Sequence, residues 1–138
     1  MEKLIISEER TGSTNPVSVL TLRGTIETTN ASGLEETLSR IVDEHCYRIV
    51  VDLAGVTYIS SAGWGIFISE IKRIRRNGGD IKLVAMSPEV REVFELLEFG
   101  NILKPFERTS DALRDFGNDG DAAPGGPTPR RRSSGGVT

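Results

Sequence analysis

The sequence lacks several features on which whole classes of protein depend. Its single cysteine, Cys46, cannot form an intrachain disulfide, which favours a reducing, cytoplasmic location. No apolar run approaches the length of a membrane span, and the first residues do not have the pattern of a signal peptide. A net charge of −3 gives no general attraction to nucleic acid or to an anionic membrane. We therefore expect no direct nucleic-acid binding and no membrane insertion.

Histidine is equally scarce, and this limits the chemistry that is available. The only histidine, His45, falls at the end of a predicted helix, with no further metal ligands at workable spacing. An α/β-hydrolase would need a histidine after its nucleophile and a glycine two residues before it, where Ile59 or Ser60 stands. A P-loop lysine and a Gly-x-Gly-x-x-Gly run are also missing. We therefore expect a protein that is not an enzyme and that holds neither a metal nor another cofactor.

What is present indicates one ordinary globular domain. The chain has 138 residues, of which 37% are apolar and 27% charged. Apolar and alternating runs predict strands at 4–8, 17–22, 48–53, 81–86 and about 103–106, the first two paired as a hairpin. Helical spacing predicts helices from 30, at 66–76, from 87 and at 110–116. This order predicts an α/β fold with a mixed central sheet, an N-terminal hairpin plus parallel strands, covered by about four helices.

The domain is predicted to occupy residues 1–116, and 117–138 to form a disordered tail rich in glycine, proline and arginine. Three consecutive arginines, 130–132, could dock on an acidic surface, and Ser133 or Ser134 beside them could be modified. A solvated tail with no specific role is favoured over both. The sequence sets no oligomeric state, and we expect a monomer or a weak dimer.

Two of the predicted helices carry more detailed expectations. The first has a capping box in Ser32 and Glu35, with Thr29 or Asn30 as alternative caps. The third begins with a serine N-cap and a proline at the first helical position. Its buried face is predicted to consist of four apolar residues: Val90, Val93, Phe94 and Leu97.

The most informative segment is Tyr58-Ile59-Ser60-Ser61-Ala62-Gly63-Trp64-Gly65, between a buried strand and a helix. The first N–H groups of a helix have no partner, and the helix dipole favours negative charge there. A serine at this junction can cap the helix, and a phosphate added to it would be stabilised. For Ser61, spacing alone favours a cap, and for Ser60 a cap or structural hydroxyl is also favoured. Trp64 is offset from the Phe67–Ile71–Ile74 stripe, so partial exposure is expected and a core role stays open.

Four segments carry a resemblance to a known family: 22–27, 50–59, 60–65 and 106–113. Together they resemble the STAS domain, and most closely the stand-alone bacterial anti-sigma factor antagonists, over residues 4–116. The family has an acceptor serine followed by a small residue, a glycine and an apolar residue, and Ser61 matches the acceptor. An aspartate is usual directly before that serine, where this chain has Ser60. A leucine is usual where it has Trp64.

The resemblance implies a protein-binding switch. Such antagonists bind an anti-sigma factor that is also a serine kinase, are released when it phosphorylates them, and are restored by a PP2C-type phosphatase. It implies that Ser61 is the phosphoacceptor, with Ser60 as the runner-up. It also implies a partner-binding surface made of these residues: Glu27, Thr28, Thr29, Asn30, Ile59, Ser60, Gly63 and Trp64. The alternative is a STAS interaction module that is not phosphorylated, in a stressosome-like scaffold or a lipid-transport complex.

Overall fold

The structure is a computed structural model that describes residues 3–12 and 14–117. Its strands are β1 (Leu4–Thr11), β2 (Val17–Ile26), β3 (Arg48–Ile59), β4 (Asp80–Val84) and β5 (Lys104–Phe106). Its helices are α1 (Ala31–Asp43), α2 (Ser61–Arg76), α3 (Pro88–Leu96) and α4 (Thr109–Asp115), and a 3-10 turn spans Phe99–Asn101. The predicted tail lies outside the described residues from 118 onward. No helix in the described ranges is long and apolar enough to cross a membrane.

The five strands form one sheet in the order β1-β2-β3-β4-β5. The strands β1 and β2 are antiparallel, and every later neighbour is parallel. A parallel connection needs a crossover, and α1, α2 and α3 supply the three that the sheet requires. The predicted α/β fold, with its N-terminal hairpin and parallel strands, is confirmed.

Side chains of the central strand alternate between two cores. Ile49, Val51 and Leu53 point into the larger core, which α1, α2 and α3 cover, while Val50 points into a smaller core under α4. Leu34, Leu38 and Ile41 of α1 are fully buried in the larger core. The predicted stripe of α2, Phe67, Ile71 and Ile74, is buried there as well.

The strand β2 continues past its predicted end at residue 22, through Gly24 to Ile26. Gly24 has φ of +111°, and its register with β3 is interrupted on both sides by bulge-like shifts. A Cβ at this position would stand 1.8 Å from the carbonyl oxygen of Lys3. The irregularity lets β2 continue to pair with β3, which itself extends to Ile59. Ile26 therefore lies beside Ile59.

The buried face predicted for α3 is only half correct. Val90 and Phe94 are buried, but Val93 is 36% exposed and Leu97 is 55% exposed. The helix has only nine residues, and only its first-turn valine and its central phenylalanine point into the core. The predicted caps are confirmed: the Ser87 hydroxyl accepts from the Val90 N–H at 3.3 Å, and Pro88 is the first helical residue.

An ion-pair network fastens β1 to α1 and gives a testable pH dependence. Glu8 accepts hydrogen bonds from Arg40 at 2.9 Å, Arg10 at 2.7 Å and Ser18 at 2.9 Å. Burial alone would raise the pKa of Glu8, but these hydrogen bonds more than offset it and lower the pKa from 4.5 to about 2. Ionised Glu8 therefore stabilises the fold above pH 4.5, and this contribution is lost as the pH falls toward 2.

We expect the stability difference between wild type and Glu8→Gln to shrink by about 2 kcal/mol between pH 7 and pH 3. Urea denaturation at the two pH values measures it. Glu9→Gln, which changes the exposed neighbouring carboxylate, is the matched control. A difference that is the same at both pH values would show that Glu8 is not held ionised by its arginine partners.

Candidate partner-binding site at the start of α2

The carboxyl ends of β2 and β3 bring two chain segments together. Because the strands are parallel, the loop after Ile26 and the start of α2 after Ile59 leave the same edge of the sheet. The Ser60 N–H donates to the Ile26 carbonyl at 2.8 Å and ties the two segments directly. This edge therefore places the two serines next to the loop of residues 27–30, which the family resemblance assigns to the same surface.

Ser60 is the N-cap of α2. Its hydroxyl accepts a hydrogen bond from the Gly63 N–H at 3.2 Å, and its carbonyl accepts from the Trp64 N–H at 3.0 Å. The residue is only 8% exposed. The structural role favoured for this hydroxyl is confirmed: it satisfies one of the unpaired N–H groups at the helix start.

Ser61 is the first residue of α2, and it is exposed. The capping bond belongs to Ser60, so a cap role for the Ser61 hydroxyl is wrong. Ser61 instead lies exposed in the first turn of a 16-residue helix. The geometry separates two adjacent serines into one that supports the helix and one that is accessible for chemistry.

The loop between β2 and α1 is held by its own side chains. The side-chain Oδ1 of Asn30 accepts from the Glu27 N–H at 2.8 Å, and its Nδ2 donates to the Thr25 carbonyl at 3.0 Å. Glu27 in turn accepts from the Thr25 hydroxyl at 2.8 Å. Thr28 and Thr29 are exposed at the tip of this braced loop. A fixed loop with an exposed tip is suited to contact a partner with little loss of conformational entropy.

The capping box predicted for α1 is wrong. Asn30, one of the two alternatives, is the N-cap residue, and Ser32 lies inside the helix. The Asn30 side chain makes no capping bond to the helix. It is engaged in the loop instead, since both of its polar atoms bond to residues that precede it.

Gly63 and Gly65 differ in what surrounds them. A Cβ on Gly63 would stand 2.6 Å from Ile26 Cγ2 and 2.9 Å from Ile59 Cγ2, so Gly63 permits the close packing of α2 on the two strand ends. A Cβ on Gly65 would meet nothing within 4 Å. Close packing within the chain therefore accounts for Gly63 and not for Gly65, whose bare surface is open to a partner.

The two glycines give a matched pair of substitutions. We expect Gly63→Ala to destabilise the domain by about 1–3 kcal/mol, because two buried isoleucines must move. Gly65→Ala should stabilise it by about 0.5–1 kcal/mol, because alanine favours the helix and meets no obstacle. Urea denaturation of both variants tests this. Equal effects of the same sign would contradict the packing that separates the two positions.

The partial exposure expected for Trp64 is wrong. The residue is 2% exposed, and its ring stacks on Phe99 at 4.9 Å between centroids and contacts Phe94 at 5.9 Å. The offset from the main stripe of α2 turns Trp64 toward α3 rather than toward solvent. Ile59 and Gly63 are buried as well, so the side chains of these residues and of Ser60 lie behind the surface that a partner could touch.

An open groove of about 370 Å³ runs along α2 from Ser61. One wall consists of residues at helical spacing on α2, and the other is the segment that follows α3. The lining residues are Ser61, Trp64, Gly65, Ile68, Ser69, Lys72, Leu97 and Phe99. Sequence reasoning missed the distal half of this groove. The spacing of Ser61, Gly65, Ile68 and Lys72 on one helix face was the available signal.

The model of the STAS domain family matches residues 9–112, which is most of the chain. The chain belongs to the STAS domain family. The match includes β2, β3, both serines and the whole of α2.

Relatives of this STAS domain include BtrV of Bordetella bronchiseptica, by name an anti-sigma factor antagonist. It is 40% identical over 81 residues, which cover 59% of this chain and 70% of BtrV. The anti-sigma-F factor antagonist RsfB of Mycobacterium tuberculosis is 29% identical over 101 residues, covering 72% of this chain and 80% of RsfB. The crystal structure of an anti-sigma factor antagonist from Mycobacterium paratuberculosis has the same fold, with a TM-score of 0.69 at 23% identity. That match covers 80% of this chain and 93% of the other.

Two arginines at the end of α2 and the single histidine make contacts within this STAS domain. Arg73 pairs with Asp43, and Arg75 pairs with Asp80 at 3.1 Å, so these cations at the end of α2 are engaged within the chain. His45 is exposed at the turn after α1, with its Nδ1 3.0 Å from the Tyr47 hydroxyl. Within residues 3–12 and 14–117, no three His, Cys, Asp or Glu side chains cluster in a way that could hold a metal.

Proposed function

We propose that this STAS domain is an anti-sigma factor antagonist that binds an anti-sigma factor serine kinase and is released when Ser61 is phosphorylated. The observation that carries the proposal is the different environment of the two serines at the start of α2. Ser60 caps the helix with a buried hydroxyl, while Ser61 presents an exposed one. The names of BtrV and RsfB support the antagonist role.

The fold can accept a phosphate at Ser61. The residue stands at the positive end of the α2 dipole, and its side chain has solvent around it. A dianion here requires no burial of charge and disturbs no capping bond, since that bond belongs to Ser60. Phosphorylation is therefore compatible with a folded, stable protein.

The same phosphate would be costly in a complex. Ser61 forms one end of the groove along α2 and stands beside the braced loop of residues 27–30. A partner that packs against this surface would have to desolvate the phosphate or leave a gap around it. The switch thus acts on binding and leaves the fold unchanged. Removal of the phosphate by a PP2C-type phosphatase would restore the binding surface.

Intact-mass spectrometry after incubation with ATP and candidate anti-sigma kinases from the same genome tests the proposal. We expect one added phosphate in the wild type and in Ser60→Ala, and none in Ser61→Ala. Loss only in Ser60→Ala would move the acceptor by one residue. No phosphate from any kinase, together with stable binding to another protein, would favour the unphosphorylated scaffold module.

The Ser60→Ala variant carries a stability prediction of its own. Removing the N-cap hydroxyl should cost about 1 kcal/mol, since the Gly63 N–H would lose its acceptor in a largely buried position. Urea denaturation measures this cost, and Ser61→Ala is the control that should leave the stability within about 0.5 kcal/mol. A larger effect from Ser61→Ala than from Ser60→Ala would reverse the assignment of the cap.

A further inference from the structure

The helix α3 exposes more apolar surface than any other helix in the described part of the chain. Leu96 is 76% exposed, Leu97 is 55% exposed and Val93 is 36% exposed. Only Val90 and Phe94 hold α3 to the core. Large apolar side chains that share an exposed patch with a polar border are typical of a protein interaction surface. We call Val93, Leu96 and Leu97 the α3 stripe.

The border of the α3 stripe is acidic. Three exposed glutamates lie along the helix and a fourth lies two residues beyond its end: Glu89, Glu92, Glu95 and Glu98. Arg91 is the single cation within α3, and it is shared between Glu95 at 3.5 Å and Glu107 at 4.0 Å. Lys72 lines the adjoining groove, but the border of the stripe itself carries net negative charge, which favours a partner whose basic residues face α3.

The α3 stripe is continuous with the candidate site. Leu97 belongs to the stripe and also lines the groove that begins at Ser61. Across the groove, Ile68 of α2 supplies further partly buried apolar surface. A partner bound at Ser61 and in the groove would therefore meet the α3 stripe without any change in the fold.

We propose that the α3 stripe and the adjoining groove dock a basic, amphipathic segment of the anti-sigma factor. The inference rests on the proposed function and adds a second contact to it. Apolar side chains of that segment would cover Leu96 and Leu97, and its lysines or arginines would meet the glutamate border. Because the stripe extends away from Ser61, it contributes affinity that depends on the identity of the partner rather than on the phosphate alone.

Other occupants fit these residues less well. A second copy in a symmetric dimer would set the glutamate border against itself, which is repulsive. An anionic lipid surface would be repelled by the same charges. The chain's own residues 118–138 contain three arginines but no large apolar residue besides Val137. They could therefore pair with the glutamates but could not cover Leu96 and Leu97.

The test measures the affinity of the cognate anti-sigma factor by titration calorimetry. We expect the Leu96→Ser/Leu97→Ser variant to bind about 30-fold or more weakly, since buried leucine anchors at an interface contribute about 2 kcal/mol together. Ile5→Ser is the matched control, because Ile5 is 54% exposed on the edge strand β1 and lies on the face of the sheet opposite α2, since its neighbours Leu4 and Ile6 pack against the larger core. It should change affinity less than twofold. Unchanged affinity of the leucine variant would overturn the α3 stripe while wild-type binding still supports the proposed function.

Charge reversal provides the second arm. Glu92→Lys should weaken binding about fivefold or more at low salt, with the loss reduced at 0.5 M salt, whereas Glu9→Lys on β1 should have little effect. Equal effects of the two reversals would overturn the acidic border as a determinant. Sedimentation of the free protein tests whether a second copy of the chain occupies the stripe. If the wild type is a dimer and the Leu96→Ser/Leu97→Ser variant is a monomer, the anti-sigma factor is overturned as the occupant. Failure of the wild type to bind any anti-sigma factor would overturn the proposed function and this inference together.

Discussion

A negative charge at Ser61 should weaken binding of the anti-sigma factor by about 100-fold or more and leave the domain folded. The phosphorylated protein and the Ser61→Asp variant are both expected to show this, the phosphate more strongly because it carries more charge and volume. The reason is local. Ser61 is exposed in the free domain but stands at the junction of the groove and the braced loop, so any partner covering that junction must desolvate the charge.

The stability of the same variants shows whether binding is lost through the charge at Ser61 or through unfolding of the domain. An anion at the first position of α2 interacts favourably with the helix dipole, so Ser61→Asp should unfold at the same or slightly higher urea concentration than the wild type. Ser110→Asp is the matched control, because Ser110 is an exposed serine in the first turn of α4, on the opposite face of the sheet. It should leave binding unchanged. Similar losses of binding from both variants would point to net charge rather than to the position of Ser61.

The fold could be predicted from the sequence because its strands and helices carry strong patterns. The apolar run at the start of β3 and the helical stripe of α2 each have one stable solution, burial in the core between sheet and helices. The pattern failed for α3, where Val93 and Leu97 have the spacing of buried residues and yet are exposed. Periodicity shows which residues share a face, and it does not show whether another element covers that face.

The strand-to-helix junction was predictable from the sequence, and the structure was needed to assign the cap to one of its two serines. The motif placed two serines at a strand-to-helix junction, but either could have been the cap. The distinction depends on where α2 begins, which decides that the Ser60 hydroxyl reaches the Gly63 N–H and the Ser61 hydroxyl does not. Trp64 was misplaced for a related reason, since its burial depends on the α3 segment that carries Phe94 and Phe99.

One buried charge escaped the sequence reasoning altogether. Lys82 occupies the middle of β4, where its neighbours Ile81 and Leu83 indicate a buried strand and where a lysine suggests an exposed position on the other face. That face is covered by α4, and the Lys82 side chain is only 5% exposed. Its ammonium group lies 2.8 Å from Asp115 and 4.4 Å from the centre of the Phe116 ring.

We expect Asp115→Ala to destabilise the domain by about 3 kcal/mol, because it removes the nearest counter-charge of a buried ammonium group. Asp80, at 3.4 Å, would remain as the only close carboxylate among the described residues. Burial would raise the pKa of Asp115, but hydrogen bonds and charge interactions with Lys82 and Lys104 lower it on balance. The loss of stability caused by Asp115→Ala has an upper limit. If burying the unpaired ammonium group costs more free energy than detaching α4, the helix detaches and Lys82 becomes hydrated.

A double-mutant cycle distinguishes this pair from ordinary packing. Replacing the lysine by an apolar residue of similar length, Lys82→Met, removes the charge that needs a partner, so Asp115→Ala should cost under about 1 kcal/mol in that background. Lys104→Ala is the control, since Lys104 contacts the same carboxylate at 3.3 Å but is half exposed. If Asp115→Ala costs the same with and without the lysine, the aspartate stabilises α4 by some other contact. Hydrogen exchange would then show whether α4 opens before the sheet, as a helix held mainly by one buried ion pair and a small apolar core should.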